Sequence, residues 1–213
     1  PTEVRVDVGK WVSEGWQALK QDWLAFALAT LIASFLSIVT LTITTGPFLL
    51  GLYFMAFKAM RGEKVQVGDI FKGFEFFGLA FLAWVIQAFV QVAIYGMANK
   101  APFLAFVPFA FSPLLHALFA FIYPLILDRR LDIASALNEA WKVVVSRQWL
   151  MFWVLGLVLS LLHIAGLLGC FVGFLITAPL AICAAAAAYK DIFGVRSMPS
   201  GPISFDYWSQ PGK

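Results

Sequence analysis

The stretch GPFLLGLYFMAF, residues 46–57, returns twice in altered form, as SPLLHALFAFIY at 112–123 and APLAICAAAAAY at 178–189. Each copy opens on a small residue and a proline: Gly46-Pro47, Ser112-Pro113 and Ala178-Pro179. Each ends on an aromatic ten residues after that proline: Phe57, Tyr123 and Tyr189. The copies start 66 residues apart. Equal spacing alone says little in a chain with ten prolines. The shared neighbours make it a signature of one structural unit written three times. All three copies are apolar, so the fold turns on what solvent surrounds them.

Composition makes that solvent lipid. The 213 residues are 62% hydrophobic and 13% charged, where a soluble domain carries roughly 25% charge. Mean hydropathy is +0.86, and long apolar stretches run through the whole chain, as membrane-spanning helices require. The first 22 residues hold no apolar core of a signal peptide, so no cleavable signal is expected. The net charge of +3 fits basic helix ends held against anionic lipid, rather than a nucleic-acid partner. Cys170 and Cys183 lie in apolar sequence and read as small core residues, not a disulfide or a metal site.

Working outward from the repeated stretch, six apolar segments form three hairpins. They cover roughly Trp23 to Met60, Phe77 to Leu127 and Trp149 to Tyr189, with tips near Thr42–Thr45, Asn99-Lys100 and Ala165–Gly169. Each segment has about 20 residues, enough for a hydrocarbon core of ~30 Å. Of the 15 Lys and Arg, only Lys100 falls at a tip; the other 14 fall on the opposite side. Basic residues stay on the cytoplasmic side, so both termini are expected in the cytoplasm. The tips are too short for a large extracytoplasmic domain.

A short amphipathic segment precedes each hairpin, opening with Asp7-Val8, Asp69-Ile70 or Asp132-Ile133. Asp accepts hydrogen bonds from the free N–H groups of a first helical turn, so each suits an N-cap. Val8, Val12, Trp16 and Leu19 share one face of the first segment. Ile133, Leu137, Trp141 and Val144 do the same in the third, displaced by 125 residues. Such helices are expected in the headgroup plane, with Trp11, Trp16 and Trp141 at the interface. The predicted fold is therefore an all-α polytopic bundle of six transmembrane helices. It forms three pseudo-repeated hairpins, with units of about 7–64, 69–130 and 132–193, each preceded by a cytoplasmic interfacial helix. A proline kinks the second helix of each hairpin. The alanine run 184–188 and the close pairs Gly156/Ser160 and Gly169/Gly173 make the sixth helix central. Residues 194–213 form a tail with Pro199, Pro202, Pro211, Phe205, Tyr207 and Trp208. That tail cannot build its own core, and its aromatics suit contact with a partner.

Few residues offer chemistry. No Asp, Glu, Lys or Arg lies well inside a segment, whereas proton- and ion-coupled carriers usually need one. His116 and His163 are the only histidines, both in apolar sequence. They are candidates to ligate a haem or chlorin, against the commoner role of bonding one helix to another. Gln87, Gln91 and Tyr95 stand at intervals of four on the third segment. That stripe suits either a polar path or interhelical bonding. There is no Gly-rich phosphate loop, H-E-x-x-H, G-x-S-x-G or Cys/His metal spacing. The acids are dispersed among bases, so no enzyme, catalytic residue, metal or obligatory cofactor is expected.

Several stretches carry a resemblance: Gly46-Pro-Phe-Leu-Leu-Gly-Leu-Tyr, Arg61-Gly-Glu, Val67-Gly-Asp-Ile-Phe-Lys-Gly-Phe, Tyr123-Pro-Leu-Ile-Leu-Asp, and Ala178-Pro-Leu through Tyr189-Lys-Asp-Ile-Phe-Gly. They are similar to a family of uncharacterised bacterial six-helix inner-membrane proteins, a domain of unknown function. The resemblance covers most of residues 10–194 and implies architecture and localisation but no activity. The expected role is a structural or accessory subunit packed against lipid and other membrane-protein subunits. The alternative is a transporter or channel for a neutral or amphipathic solute, with Gln87, Gln91, Tyr95 and His116 along its path. A continuous cavity at Gln87 and Gln91 would favour the alternative.

Overall fold

The computed structural model describes residues 6–98, 102–104, 106–146, 148–169 and 173–195, and all regular structure among them is helical. The α-helices are α1 (Val8–Gln21), α2 (Trp23–Val39), α3 (Thr45–Met60), α4 (Phe77–Ala98), α5 (Val107–Arg129), α6 (Ile133–Val144), α7 (Trp149–Leu168) and α8 (Phe174–Phe193). A 3-10 helix, Val67–Phe76, leads into α4, and a shorter one covers Pro102–Leu104.

The three helices that carry the repeated stretch form the centre. α3, α5 and α8 each touch the other two. The remaining long helices sit in the three outer gaps: α2 against α8 and α3, α4 against α3 and α5, α7 against α5 and α8. The segments that precede the hairpins pack on the same central helices, α1 on α8, the 3-10 helix Val67–Phe76 on α3, and α6 on α5. The aromatics ten residues after each proline lie buried here. Phe57 packs on Tyr189 at 5.6 Å between ring centroids, and Tyr53 stacks on Tyr123 at 6.3 Å. Alanines 184–188 are fully buried or nearly so. The outer helices are apolar on both sides: Phe35 and Ile38 on α2 and Phe89 and Val92 on α4 point outward and are exposed. A helix apolar all round needs an apolar surround, not water.

Among the described residues four helices are long and apolar enough to cross a membrane: Val67–Ala98 taken through its 3-10 start, Val107–Arg129, Trp149–Gly166 and Phe174–Phe193. A fifth is added if α1 and α2, which meet at a bend of 93°, count as one broken span. That fits a multi-pass membrane protein. α2 and α3 separately have 17 and 16 residues, or ~25 and ~24 Å at 1.5 Å per residue, short of a ~30 Å core.

The segments expected in the headgroup plane lie against the central helices. α1 lies along α8. The buried faces share only Leu19 and Val144 with the expected stripes and are otherwise made of Trp11, Gly15 and Ala18 on α1 and Ala136 and Ala140 on α6. Trp16 and Trp141 stay outside, 41% and 56% exposed. Hydrophobic periodicity finds the amphipathic axis, but close backbone approach is set by the smallest side chains. A Cβ added to Gly15 would lie 2.5 Å from the Ala184 backbone nitrogen. Trp11, expected at the interface, is fully buried; its Nε1–H donates to Asp191 Oδ2 at 2.9 Å. The middle segment also differs. It is a 3-10 helix, closing on α3 where Cβ atoms at Gly51 and Gly73 would overlap the backbone of Ile70 and Pro47.

The Asp caps behave as expected at two of three sites. Asp7 accepts from the Lys10 amide at 3.0 Å, and Asp132 from the Ala134 and Ser135 amides at 3.1 and 3.3 Å. Asp69 is instead the third residue of its helix; Oδ2 accepts from the Gln66 amide at 2.8 Å and from Lys58 Nζ at 2.9 Å. Hydrogen bonding by the Ser135 side chain, then by backbone amides, holds the Asp132 carboxyl below its ordinary pKa. The folded state thus favours the ionised form more than the unfolded chain does. Its stabilising contribution is complete above the unfolded pKa and lost as pH falls through the lower folded value. Acidification through that window is expected to expose the amides of residues 134–136 to exchange, corrected for intrinsic rate. Asp132→Asn keeps the cap and is expected to remove this pH dependence; equal acid sensitivity in both proteins would refute the assignment.

The prolines also divide. Pro47 is the third residue of α3, where an N–H would have no intrahelical partner. Pro113 and Pro179 lie inside α5 and α8 and each leaves an earlier carbonyl without its helical donor. Of the three repeated prolines only those two can act as kink points, and α5 holds a further internal proline, Pro124.

Candidate functional site: a cleft around two histidines

α5 and α7 approach closely where Gly156 meets the Pro113 carbonyl, leaving no room for a Cβ. That contact brings together His116 and Ser160, about one turn further along each helix. His116 Nδ1 lies 2.9 Å from the Ser112 carbonyl oxygen. A carbonyl can only accept, so Nδ1 carries the proton. Ser160 Oγ is 3.3 Å from the same nitrogen, but its hydroxyl donates to the Gly156 carbonyl at 2.7 Å. A protonated Nδ1 beside a committed hydroxyl is not a base beside a nucleophile. His163 repeats the arrangement, with Nδ1 2.7 Å from the Leu159 carbonyl oxygen. In the neutral ring Nε2 then keeps its lone pair. No hydrogen bond within the described residues reaches Nε2 of either histidine.

Three cavities border His163, and two of them border His116 as well. The central one, about 150 Å³, is lined by Tyr53, Gln87, His116, Tyr123 and His163 among apolar groups of α3, α5, α7 and α8. A second, about 280 Å³, lies between Tyr95 of α4, Ser112 and His116 of α5, and Ser160 and His163 of α7. The largest, about 370 Å³, opens between α2, α3 and α8, and its polar lining is Thr30, Ser34, Ser37, Thr45 and His163. His163 borders all three, and no Asp, Glu, Lys or Arg lines any of them.

The glutamine stripe is thus split. Gln87 reaches the central cavity and accepts from the Tyr123 hydroxyl at 3.0 Å. Tyr95 reaches the second cavity. Gln91 lines none of the three; its amide donates to Ser112 Oγ at 2.8 Å, binding α4 to α5. The hydroxyl row Thr30, Ser34 and Ser37 on α2 was missed by sequence reasoning. Its spacing of four and three residues on an otherwise apolar helix was the available signal. Thr30 is 2% exposed and its Oγ1 has no hydrogen-bond partner. The tail residues Phe205, Tyr207 and Trp208, and Cys170, lie outside the described residues; Cys183 is a buried free thiol.

A haem or chlorin between the two histidines fits this geometry poorly. The central cavity that both border is about 150 Å³, below the ~300–1,000 Å³ usual for ligand pockets. Among the described residues no group of three or more His, Cys, Asp or Glu could hold a metal ion. Comparison of the chain with protein-family models, curated proteins and solved structures finds no match.

Proposed function

We propose that this chain is a multi-pass protein of the bacterial inner membrane, with both termini cytoplasmic, that binds a neutral amphipathic molecule as a transporter or carrier. The cavity expected along both Gln87 and Gln91 is not found, since Gln91 lines none of the three, and the reading rests instead on three uncharged cavities that all border His163. Apolar walls with a few fixed polar groups are the usual make-up of a small-molecule site. The neutral lining suits a neutral guest, because an ion there would lack a counter-charge. The second reading is an accessory subunit, whose aromatic tail lies outside the described residues.

Two finer features of the reading have support of their own. Six crossings follow if α2 and α3 each traverse a locally thinned or snorkelled boundary; the central position of α3 also shields its ends. A threefold repeat is supported by the cyclic packing. Each preceding segment packs on the proline helix of the previous unit, with α1 closing the ring on α8. Burial recurs at the same displacement of 125 residues, at 11, 15 and 19 and at 136, 140 and 144.

Ala178 is buried at the wall of the 370 Å³ cavity, so Ala178→Phe should fill it. Native mass spectrometry of the mildly solubilised protein is expected to find a bound amphiphile on the wild type and little on the variant. A wild type that carries no small molecule, or a folded variant that carries as much, would sink the reading.

A further inference from the structure

The chemistry of the 370 Å³ cleft between α2, α3 and α8 restricts its guest further; this step rests on the reading of that cleft as a guest site. We infer that the guest is a neutral lipid with a free hydroxyl, such as a long-chain alcohol or acylglycerol, drawn from the bilayer. Its hydroxyl would donate to His163 Nε2 and its chain would lie along the apolar wall.

Three observations lead there. First, His163 Nδ1–H is committed to the Leu159 carbonyl at 2.7 Å. The ring therefore offers the cleft an acceptor, and an acceptor selects a guest that brings a donor. A lipid ether or ester without a hydroxyl brings none. An ionised fatty acid brings none either and finds no cation in the lining; an amine finds no carboxylate. Second, Thr30 lines the same cleft with an Oγ1 that is buried and has no partner. Buried hydroxyls are nearly always satisfied, and a turn of the Thr30 side chain toward the cleft would let it donate to a guest oxygen. Third, Ile38 both lines the cleft and is 68% exposed on the outer surface. The cleft therefore opens sideways through apolar surface, the route for a lipid rather than for a water-borne sugar or polyol.

The test uses the full chain in phosphatidylcholine nanodiscs and three diazirine probes of equal length: a hexadecanol, its methyl ether and the corresponding fatty acid. The alcohol is expected to label the segments 30–38 and 174–182 saturably, with the ether and acid labelling five- to tenfold less, the size of one hydrogen bond lost in an apolar site. Glycerol should not compete; competition by glycerol would overturn the bilayer source. His163→Phe is expected to lower alcohol labelling by the same factor, and His163→Gln, which restores an acceptor, to recover most of it. Thr30→Val should give a smaller loss. Equal labelling by alcohol and ether, or full labelling of a folded His163→Phe protein, overturns the hydroxyl inference while leaving a guest site in place. Failure of every probe to label the wild-type cleft overturns both.

Discussion

Gly156→Leu is expected to abolish recovery of folded protein, whereas Gly96→Leu is expected to be neutral or slightly stabilising. Both glycines are helical and both substitutions add the same side chain. At Gly156 a Cβ would run into the carbonyl of Pro113 on α5. Overpacking costs typically ~1–3 kcal/mol when side chains can yield. Here the obstacle is backbone on an inner helix that also packs on α3, α4, α6 and α8, so the cost should reach or exceed the top of that range. At Gly96 nothing lies within 4 Å of the added atom, and leucine is favoured over glycine within a helix by roughly 0.8 kcal/mol. Thermal midpoints read by fluorescence-detected size exclusion in one detergent decide the matter. If the two variants melt alike, α5 and α7 do not meet at Gly156, and the placement of His116 beside Ser160 fails with it. Gly156→Ala should already show part of the loss.

Much of this architecture was legible because lipid imposes simple rules. The three proline stretches became the mutually touching helices α3, α5 and α8, since their small residues allow close approach wherever water gives no drive to associate. The N-caps at Asp7 and Asp132 followed from side-chain chemistry alone. What misled was the faces of α1 and α6. Val8, Val12, Trp16 and Leu19 were expected to share the packed face, yet of these only Leu19 is buried, beside Trp11, Gly15 and Ala18. In an aqueous fold the larger apolar groups would turn inward to leave water. Against lipid that gain vanishes, and packing shape decides. The site was half legible for the same reason. His116 and His163 stand out as rare residue types, and the structure brings both to one cavity. Thr30, Ser34 and Ser37 did not stand out, because Ser and Thr are ordinary in membrane helices, where they bond back to the preceding turn. Ser34 does so, donating to the Thr30 carbonyl at 2.7 Å; the Thr30 hydroxyl does not.

Trp11→Ala should cost about 3–5 kcal/mol, the range for deleting a large buried aromatic. The same substitution at Trp16, which is 41% exposed, should cost far less. A helix lying loose on a membrane surface would give the reverse order, because there the stripe containing Trp16 would anchor it. The Trp11 effect divides into parts that can be measured separately. Trp11→Phe keeps most of the packing and deletes the 2.9 Å bond to Asp191; a hydrogen bond to a charged group is worth about 1.5–3 kcal/mol. Lys10→Ala removes a partly exposed ion pair of 2.8 Å with the same carboxylate and a longer one of 3.9 Å with Glu14, both of which solvent screens. Double-mutant cycles against Asp191→Ala should therefore show stronger coupling for Trp11→Phe than for Lys10→Ala. That order matters beyond α1. Asp191 stands near the end of α8, so the indole that grips it closes the ring of packing from the first segment onto the last helix. If Trp11 and Trp16 proved interchangeable in these measurements, α1 would be an appendage, and α8 would lose the contact that buries its alanine run.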